Sequence, residues 1–100
     1  MIEIRETEVY HDWFESLKDK RAKARIDVRI RRVSLGNFGD VRPVGSGVSE
    51  LRIDYGPGYR VYFIKRGNIM VILLCGGDKS TQSKNIQQAQ DLAWALGEDE

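Results

Sequence analysis

Two arginines, a tyrosine and a lysine in the second half of the chain have the types and spacing to act on an anion. Arg52 lies in one segment with the alternation of a β-strand, and Arg60 and Tyr62 lie in the next. The sequence YGPG at residues 55–58 separates the two segments and predicts an antiparallel hairpin. Because side chains alternate across a strand, aligning the apolar faces places Arg52, Arg60 and Tyr62 together on the opposite face. With Lys79 at the end of the following strand, they form a candidate anion site.

The same positions also allow a structural interpretation, in which the charges neutralise one another. Glu50 and Asp54 fall on the same predicted face as Arg52, and both can pair with Arg52 and Arg60 across the hairpin. The two interpretations differ in whether the guanidinium groups are left available to a ligand. Spacing alone favours neither, so both remain open.

Periodicity in the rest of the chain predicts the elements that position these residues. Three successive strand-like segments lie between residues 48 and 79, and the third is apolar without alternation, as expected for a strand covered on both faces. The other predicted elements are a strand at Met1–Arg5, helices at Glu8–Leu17 and Lys20–Leu35, a loop at 37–47, and a helix from Ser80 or Thr81 to Gly97. The order β-α-α-β-β-β-α predicts an α+β fold, in which an antiparallel sheet carries an N-terminal helical hairpin on one face and the C-terminal helix near the other.

The size and composition of the chain predict one small domain. With 100 residues, 41% of them hydrophobic, the chain can bury a modest two-layer core, and we expect the domain to span 1–97 with an acidic tail at 98–100. Cys75, the only cysteine, lies in an apolar strand and is expected to be an inert core residue. No apolar run approaches the roughly 18 residues of a membrane span, and the N-terminus lacks signal-peptide features. We therefore expect a cytoplasmic protein with no membrane partner.

The net charge of +1 conceals a strongly basic segment. Residues 18–32 contain eight Lys or Arg and two Asp. Such a segment indicates a polyanion, an acidic partner, or only a solvated helix face. Arg42 adds a positive charge in the predicted loop, where it could close over a ligand or simply lie in solvent.

The start of the last predicted helix is a second place where an anion could bind. Lys79, Ser80, Thr81 and Lys84 cluster around it, and free backbone N–H groups at a helix N-terminus attract anions. Ordinary helix capping by these residues explains the same pattern. The sequence does not decide between the two.

Several classes of chemistry are excluded by residue type. One cysteine and one histidine cannot supply a usual structural zinc site, and there is no P-loop or G-x-S-x-G motif. His11 lies in the first predicted helix, on the side of the sheet away from the arginines. A metal-free and cofactor-free cationic cluster remains, which suits cleavage of RNA by attack of a 2′-OH on the adjacent phosphate. Arg and Lys stabilise the phosphoryl charge, and Tyr, Lys or Asp could move protons.

Two motifs in this region resemble a known family. ELRIDYGPGYRVYF at 50–63 and LLCGGDKSTQSKNI at 73–86 resemble the RelE/ParE superfamily of bacterial toxins and, more narrowly, its HigB-type "addiction module killer" branch. The resemblance covers essentially the whole chain, including Trp13-Phe14, the basic second helix and the loop from Gly39 to Glu50. It implies a microbial RNase-like (RelE-like) fold, and it implies the toxin of a type II toxin–antitoxin system, an endoribonuclease that cleaves mRNA on the ribosome and blocks translation.

The resemblance also implies roles for individual residues. Arg60 matches the strand arginine that contacts the scissile phosphate, and Lys79 stands where many members have an arginine that stabilises transition-state charge. Arg52 matches a basic position on the preceding strand, while Tyr62 and Asp78 are weaker catalytic candidates. Many nuclease members carry a Tyr or His near the C-terminus for proton transfer, whereas this chain has neither after Lys79. The general acid and base are therefore unassigned.

The implied partners are a cognate helix-turn-helix antitoxin, mRNA on the ribosome, and operator DNA reached only through the antitoxin complex. The residues expected to contact RNA or the ribosome share a positive charge outside the catalytic cluster: Lys20, Arg21, Lys23, Arg25, Arg29, Arg32, Arg42 and Lys84. Two alternatives remain. The ParE branch poisons DNA gyrase on the same fold without cleaving RNA, and a degenerate toxin could serve only as an antitoxin-binding component of a repressor.

Overall fold

Five strands and three α-helices make up the fold in a computed structural model that describes residues 1–97. The acidic tail expected at 98–100 lies outside the described residues. The elements are β1 (Glu3–Glu6), α1 (Glu8–Ser16), α2 (Lys20–Ser34), β2 (Val41–Gly45), β3 (Val48–Ile53), β4 (Tyr59–Arg66), β5 (Met70–Asp78) and, after a 3₁₀ turn at Lys79–Thr81, α3 (Gln82–Leu96). The predicted α+β class is confirmed, and the arrangement is consistent with a RelE-like fold.

The loop predicted at 37–47 contains a strand that the sequence analysis missed. Strand β2 pairs antiparallel with β3, and the sheet order β1-β5-β4-β3-β2 places it at one edge. It contains Pro43 and Gly45. These residue types are uncommon inside a strand, so the local sequence did not predict one, but they are tolerated at a sheet edge. The register shifts between these two residues, so the strand is also irregular.

The sheet is mixed, which corrects the expectation of a purely antiparallel one. Strand β1 lies at the opposite edge and runs parallel to β5, with Ile4 opposite Val71. The backbone N–H of Glu3 donates to Ile69 at 2.8 Å, and that of Thr7 donates to Leu73 at 3.0 Å. The direction of this pair depends on the whole path of the chain between β1 and β5, and a four-residue strand carries no local signal for it.

Two helical layers cover the sheet, as predicted. Helices α1 and α2 cover one face over a core of Tyr10, Ile26, Val33, Leu51, Ile53, Val61, Phe63, Val71 and Leu73. Helix α3 covers the other over Val48, Tyr62, Ile64, Ile72, Leu74, Cys75 and Ala89. No helix within residues 1–97 has both the length and the apolar character needed to cross a bilayer.

Side chains cap the first two helices. The hydroxyl of Thr7 accepts from the backbone N–H of Tyr10 at 3.1 Å and caps the N-terminus of α1. The carboxylate of Asp19 accepts from the backbone N–H groups of Arg21 at 2.9 Å and Ala22 at 3.2 Å and begins α2. These caps fix where the helical hairpin starts and turns.

A bulge in β5 places two consecutive residues in the layer beneath α3. Tyr62 lies opposite Cys75 and Phe63 lies opposite Leu73, so Leu74 has no cross-strand partner. Leu74 and Cys75 both pack in that layer. Cys75 is the buried core residue that the sequence predicts, and burial raises the pKa of its thiol to about 12.

Two glycines at the end of β5 let both helical layers approach the strand closely. A Cβ on Gly76 would lie 2.3 Å from the ring of Trp13 in α1. A Cβ on Gly77 would lie 1.9 Å from Oδ1 of Asn85 in α3. Neither contact is compatible with a side chain, so the Gly-Gly pair is needed for space.

We expect Gly77→Ala to lower the free energy of unfolding by about 1–3 kcal/mol, the usual cost of overpacking. Chemical denaturation measures this change. The side chain of Asn85 makes the closest contact, so Asn85→Ala should recover part of the loss when it is combined with Gly77→Ala. Equal losses in the single and double variants would show that Asn85 is not the obstacle.

Candidate active site

Glu50 and Arg52 of β3 and Arg60 and Tyr62 of β4 lie on the sheet face that α3 partly covers. In the antiparallel register, Arg52 lies directly opposite Arg60, and Glu50 lies directly opposite Tyr62. Residues directly opposite one another project to the same side of a sheet. The structure therefore brings Arg52, Arg60 and Tyr62 to one face, as their alternation in the sequence predicts.

Glu50 lies at the centre of this group and is fully buried. The Nε of Arg52 donates to its Oε1 at 3.1 Å. The hydroxyl of Tyr62 donates to its Oε2 at 2.9 Å, and Nε2 of Gln82 donates to the same oxygen at 2.7 Å. The Nε of Arg60 lies 3.8 Å from Oε2, within the range of an ion pair. One carboxylate therefore joins two strands and the first turn of α3.

This environment keeps Glu50 ionised at neutral pH. Burial raises the pKa of its carboxyl, but hydrogen bonds from Gln82, Tyr62 and Arg52 and the charge of Arg60 outweigh burial, so the pKa falls below its ordinary 4.5. The pKa of Tyr62 moves upward, because the hydroxyl is buried and donates to the Glu50 carboxylate. Tyr62 therefore keeps its proton, and its fully buried side chain is out of reach of a ligand on the surface.

Arg60 is nearly buried, with 8% of the residue exposed. Its Nε has no hydrogen-bond partner among residues 1–97, since 3.8 Å from Glu50 is too long for a hydrogen bond. Gly58 of the YGPG turn lies beside it: a Cβ there would be 3.7 Å from Nη1 of Arg60 and 3.4 Å from Cβ of Lys79. Arg60 and Lys79 therefore border the same turn, although their residues are 19 positions apart in the sequence.

The residues that follow β5 are arranged as a cap. The carboxylate of Asp78 accepts from the backbone N–H of Ser80 at 2.8 Å and from its hydroxyl at 2.5 Å. Thr81 donates its hydroxyl to Asn85 at 2.6 Å. This geometry favours the capping interpretation of the pattern and engages Asp78 in holding the turn. Lys79 is exposed beside Arg60.

Arg42 joins this face from the edge of the sheet. The sequence analysis placed it in a loop, but it lies in β2 directly opposite Glu50, and it is exposed. It shares a sheet face with Glu50 because the two residues are direct cross-strand partners. We call Arg42, Arg52, Arg60 and Lys79 the cationic face.

The basic residues of α2 form a separate surface. Arg21, Arg25, Arg29 and Arg32 line a groove of about 490 Å³ together with Ile53 and Asp54. Because the apolar stripe of α2 packs on the other side of the sheet, the sheet separates this groove from the cationic face. The predicted RNA-binding residues on α2 are thus not brought together with the predicted catalytic ones, whereas Arg42 lies on the cationic face.

Arg29 differs from its neighbours on α2 because its guanidinium is engaged within the fold. It donates to the carbonyl oxygens of Arg52, of Phe38 at 3.2 Å and of Asp40 at 3.4 Å. Burial lowers the pKa of Arg29, which is consistent with this inward position. Arg29 ties α2 to β3 and to the segment before β2, whereas the sequence analysis expected it to bind RNA.

Other basic side chains of this region lie against aromatic rings or in solvent. The guanidinium of Arg25 lies 4.8 Å from the ring centre of Tyr55, and the ammonium of Lys23 lies 5.3 Å from that of Phe14. The remaining predicted RNA-binding residues are exposed: Lys20, Arg21 and Arg32 on α2, and Lys84 on α3.

The sequence analysis underestimated Glu50 and missed Gln82. It treated Glu50 only as a possible partner of an arginine, although strand alternation already put Glu50 and Arg52 on one face. Gln82 has no comparable signal, because its contact with Glu50 spans 32 positions of sequence. His11 lies outside the cluster, exposed on α1, with Nδ1 2.9 Å from Oε1 of Glu6.

Comparison with known proteins gives two matches. The family described as "Phage derived protein Gp49-like (DUF891)" matches residues 12–95, a range that contains the whole cationic face. An uncharacterised protein of Haemophilus influenzae is 54% identical over 96 residues, which cover 96% of this chain and 97% of that protein. The likeness therefore extends over nearly the full length of both chains.

The lowered pKa of Glu50 predicts a specific dependence of stability on pH. A carboxyl whose pKa is lower in the folded state stabilises that state above its unfolded pKa, and this contribution is lost as the pH falls through the folded value. The difference in free energy of unfolding between wild type and Glu50→Gln should therefore shrink as the pH falls below 4.5. Urea denaturation across that range measures the difference, and a difference that grew on acidification would contradict the assignment.

Proposed function

Because the chain belongs to the Gp49-like family of phage-derived proteins, a toxin–antitoxin-associated family, we propose that it is the toxin of a type II toxin–antitoxin module. More specifically, we propose that it is an endoribonuclease of the HigB type within the RelE/ParE superfamily. In this proposal the protein cuts mRNA on the ribosome, blocks translation and is neutralised by an antitoxin.

The observation that carries the enzymatic part of the proposal is the arrangement of Arg52 and Arg60. They lie side by side on neighbouring strands, and each turns its Nε toward Glu50. This leaves the Nη ends of two planar guanidinium groups for a ligand, and such groups bind phosphate through paired hydrogen bonds. Lys79 at the same turn adds a third positive charge.

This arrangement suits cleavage by transesterification within the RNA chain. The 2′-oxygen forms a bond to the adjacent phosphorus, the bond to the 5′-oxygen breaks, and the products carry a 2′,3′-cyclic phosphate and a 5′-hydroxyl. Negative charge on the phosphoryl oxygens increases in the transition state, where Arg60, Arg52 and Lys79 would stabilise it. The 2′-hydroxyl loses one proton and the leaving 5′-oxygen gains one, so there is no net change in protons.

The proposed roles of Tyr62 and Asp78 follow from their positions. Tyr62 is buried and donates to Glu50, and Asp78 holds the turn that presents Lys79. Both therefore position the cationic residues and do not transfer protons to RNA. Since the chain also has no Tyr or His after Lys79, we propose that the substrate is mRNA held by the ribosome and not free RNA.

The second basic surface has a role of its own in this proposal. Arg21, Arg25 and Arg32 on α2 would bind ribosomal RNA phosphates while the cationic face acts on the message. The partner that the family suggests is an antitoxin. We propose that it carries a helix-turn-helix, that its acidic surface binds one of the two basic surfaces, and that the complex binds operator DNA.

We expect Arg60→Ala to abolish growth arrest and to reduce mRNA cleavage by about 10²–10³-fold, the cost of removing one fixed donor from a developing oxyanion. The measurement is induction in growing bacteria with pulse labelling of protein and DNA synthesis and mapping of new mRNA 5′ ends. Arg5→Ala is the matched control, because Arg5 is an exposed strand arginine that also pairs with a glutamate.

The outcomes of this experiment separate the candidate functions. Cuts within reading frames that vanish only in Arg60→Ala support the endonuclease. DNA synthesis that stops first, with intact messages, would replace it with a gyrase poison. Absence of any growth defect in the wild type would indicate a degenerate toxin that acts as a repressor component. Full toxicity of a folded Arg60→Ala protein would refute the proposed role of Arg60.

Binding of the antitoxin should depend strongly on salt. Raising the ionic strength from about 0.1 M to about 1 M shortens the screening length from about 10 Å to about 3 Å, so the association rate should fall by about tenfold or more. Stopped-flow measurements with the purified antitoxin test this expectation. Arg25→Glu and Arg32→Glu together should reduce the salt dependence if α2 is the docking surface. A rate that does not change with salt would show that apolar contacts guide association.

A further inference from the structure

We propose that Glu50 is the positioning residue of the cationic face, and that its buried carboxylate orients Arg52 and Arg60 so that their Nη groups face the substrate phosphate. Only the cleavage part of this inference rests on the proposed function. The positioning part concerns the protein alone.

The first argument is the repulsion between the two arginines. Arg52 and Arg60 are direct cross-strand partners, and like charges in such a pair destabilise a sheet. Glu50 offers one carboxylate oxygen to each: Oε1 lies 3.1 Å from Nε of Arg52, and Oε2 lies 3.8 Å from Nε of Arg60. One negative charge between two positive charges allows them to stay together.

The second argument is that Glu50 is itself held in place. Tyr62 from β4 and Gln82 from α3 both donate to Oε2, at 2.9 Å and 2.7 Å. A carboxylate with a free rotamer could not fix the direction of its partners. Here the hydrogen bonds from Arg52, Tyr62 and Gln82 and the charge of Arg60 all stabilise the same orientation of Glu50.

The third argument excludes a direct role in proton transfer. Glu50 is completely buried, and both of its oxygens already accept hydrogen bonds. It therefore cannot reach the 2′-hydroxyl of an RNA strand on the surface. Its effect on a reaction must pass through the arginines.

Glu50 holds the two arginines by different interactions. Arg52 is fixed by a hydrogen bond, whereas Arg60 is held by charge alone and its Nε has no hydrogen-bond partner among residues 1–97. Binding of a phosphate by Arg60 would thus break no hydrogen bond to Glu50. Arg52 would stay bound to Glu50 through its hydrogen bond.

The positioning role is tested without any activity by NMR of the arginine Nε–H groups. In the wild type, the Nε–H protons of Arg52 and Arg60 should exchange slowly with water. Glu50→Gln should speed their exchange by at least tenfold while the backbone spectrum stays that of a folded protein. The matched control is Glu3→Gln, because Glu3 pairs with Arg5 at the same two-residue spacing on a strand but is exposed. Unchanged Arg52 and Arg60 signals in folded Glu50→Gln would overturn the proposal.

Cleavage and binding are then compared in the same variants. A misplaced catalytic group can cost about 10²-fold, so Glu50→Gln should cut ribosome-bound mRNA at least tenfold more slowly. It should bind a non-cleavable 2′-O-methyl RNA oligonucleotide no more weakly than the wild type, since the cationic face has lost a negative charge. If the role of Glu50 were purely structural, Glu50→Gln would reduce both the cleavage of mRNA and the binding of the 2′-O-methyl RNA. That result would overturn the proposal.

A second variant keeps the proposal testable if Glu50→Gln does not fold. Tyr62→Phe removes one donor to Glu50 and leaves every charge in place, so it should speed exchange at Arg52 and Arg60 to a smaller degree. Unchanged Nε–H exchange at Arg52 and Arg60 in Tyr62→Phe would count against the proposal. If the wild type cuts no mRNA, the proposed function fails, while the NMR result still decides whether Glu50 positions the arginines.

Discussion

The ion pairs and hydrogen bonds of one buried carboxylate hold together the part of the fold that carries the proposed site. Glu50 accepts hydrogen bonds from β3, β4 and α3 and lies between two arginines that would otherwise repel each other. A buried charge is costly unless it is fully partnered. The partners of Glu50 therefore fix both the start of α3 and the direction of the arginine side chains, so fold and site depend on the same contacts.

The sheet separates two basic surfaces. Their residues lie in different segments of the sequence and on opposite sides of the sheet. The cationic face is built on β2, β3, β4 and the end of β5, while the groove along α2 lies on the other side. A protein with this design can bind one polyanion with α2 while it presents fixed positive charge to another. The proposed ribosome-bound substrate would use both surfaces.

Local patterns predicted the helices from their period, and they predicted the central strands from alternation or from an apolar run that ends at turn residues. Strand β2 was missed because Pro43 and Gly45 interrupt its pattern, and such residues are tolerated only because β2 lies at an edge. The parallel pairing of β1 with β5 was missed for another reason. Strand direction between distant segments depends on the path of the intervening chain, and no property of a short strand encodes that path.

The sequence by itself determined the α+β class, the two covered faces of the sheet, and the placement of Arg52, Arg60 and Tyr62 on one face, because alternation along a strand is a local rule. Only the tertiary structure decided what those residues contact. It showed that Gln82 reaches Glu50 across 32 positions, that Arg29 turns inward, and that Arg42 lies in a strand. These contacts join distant segments, and the free energy of such contacts depends on burial and distance that exist only after the chain has folded.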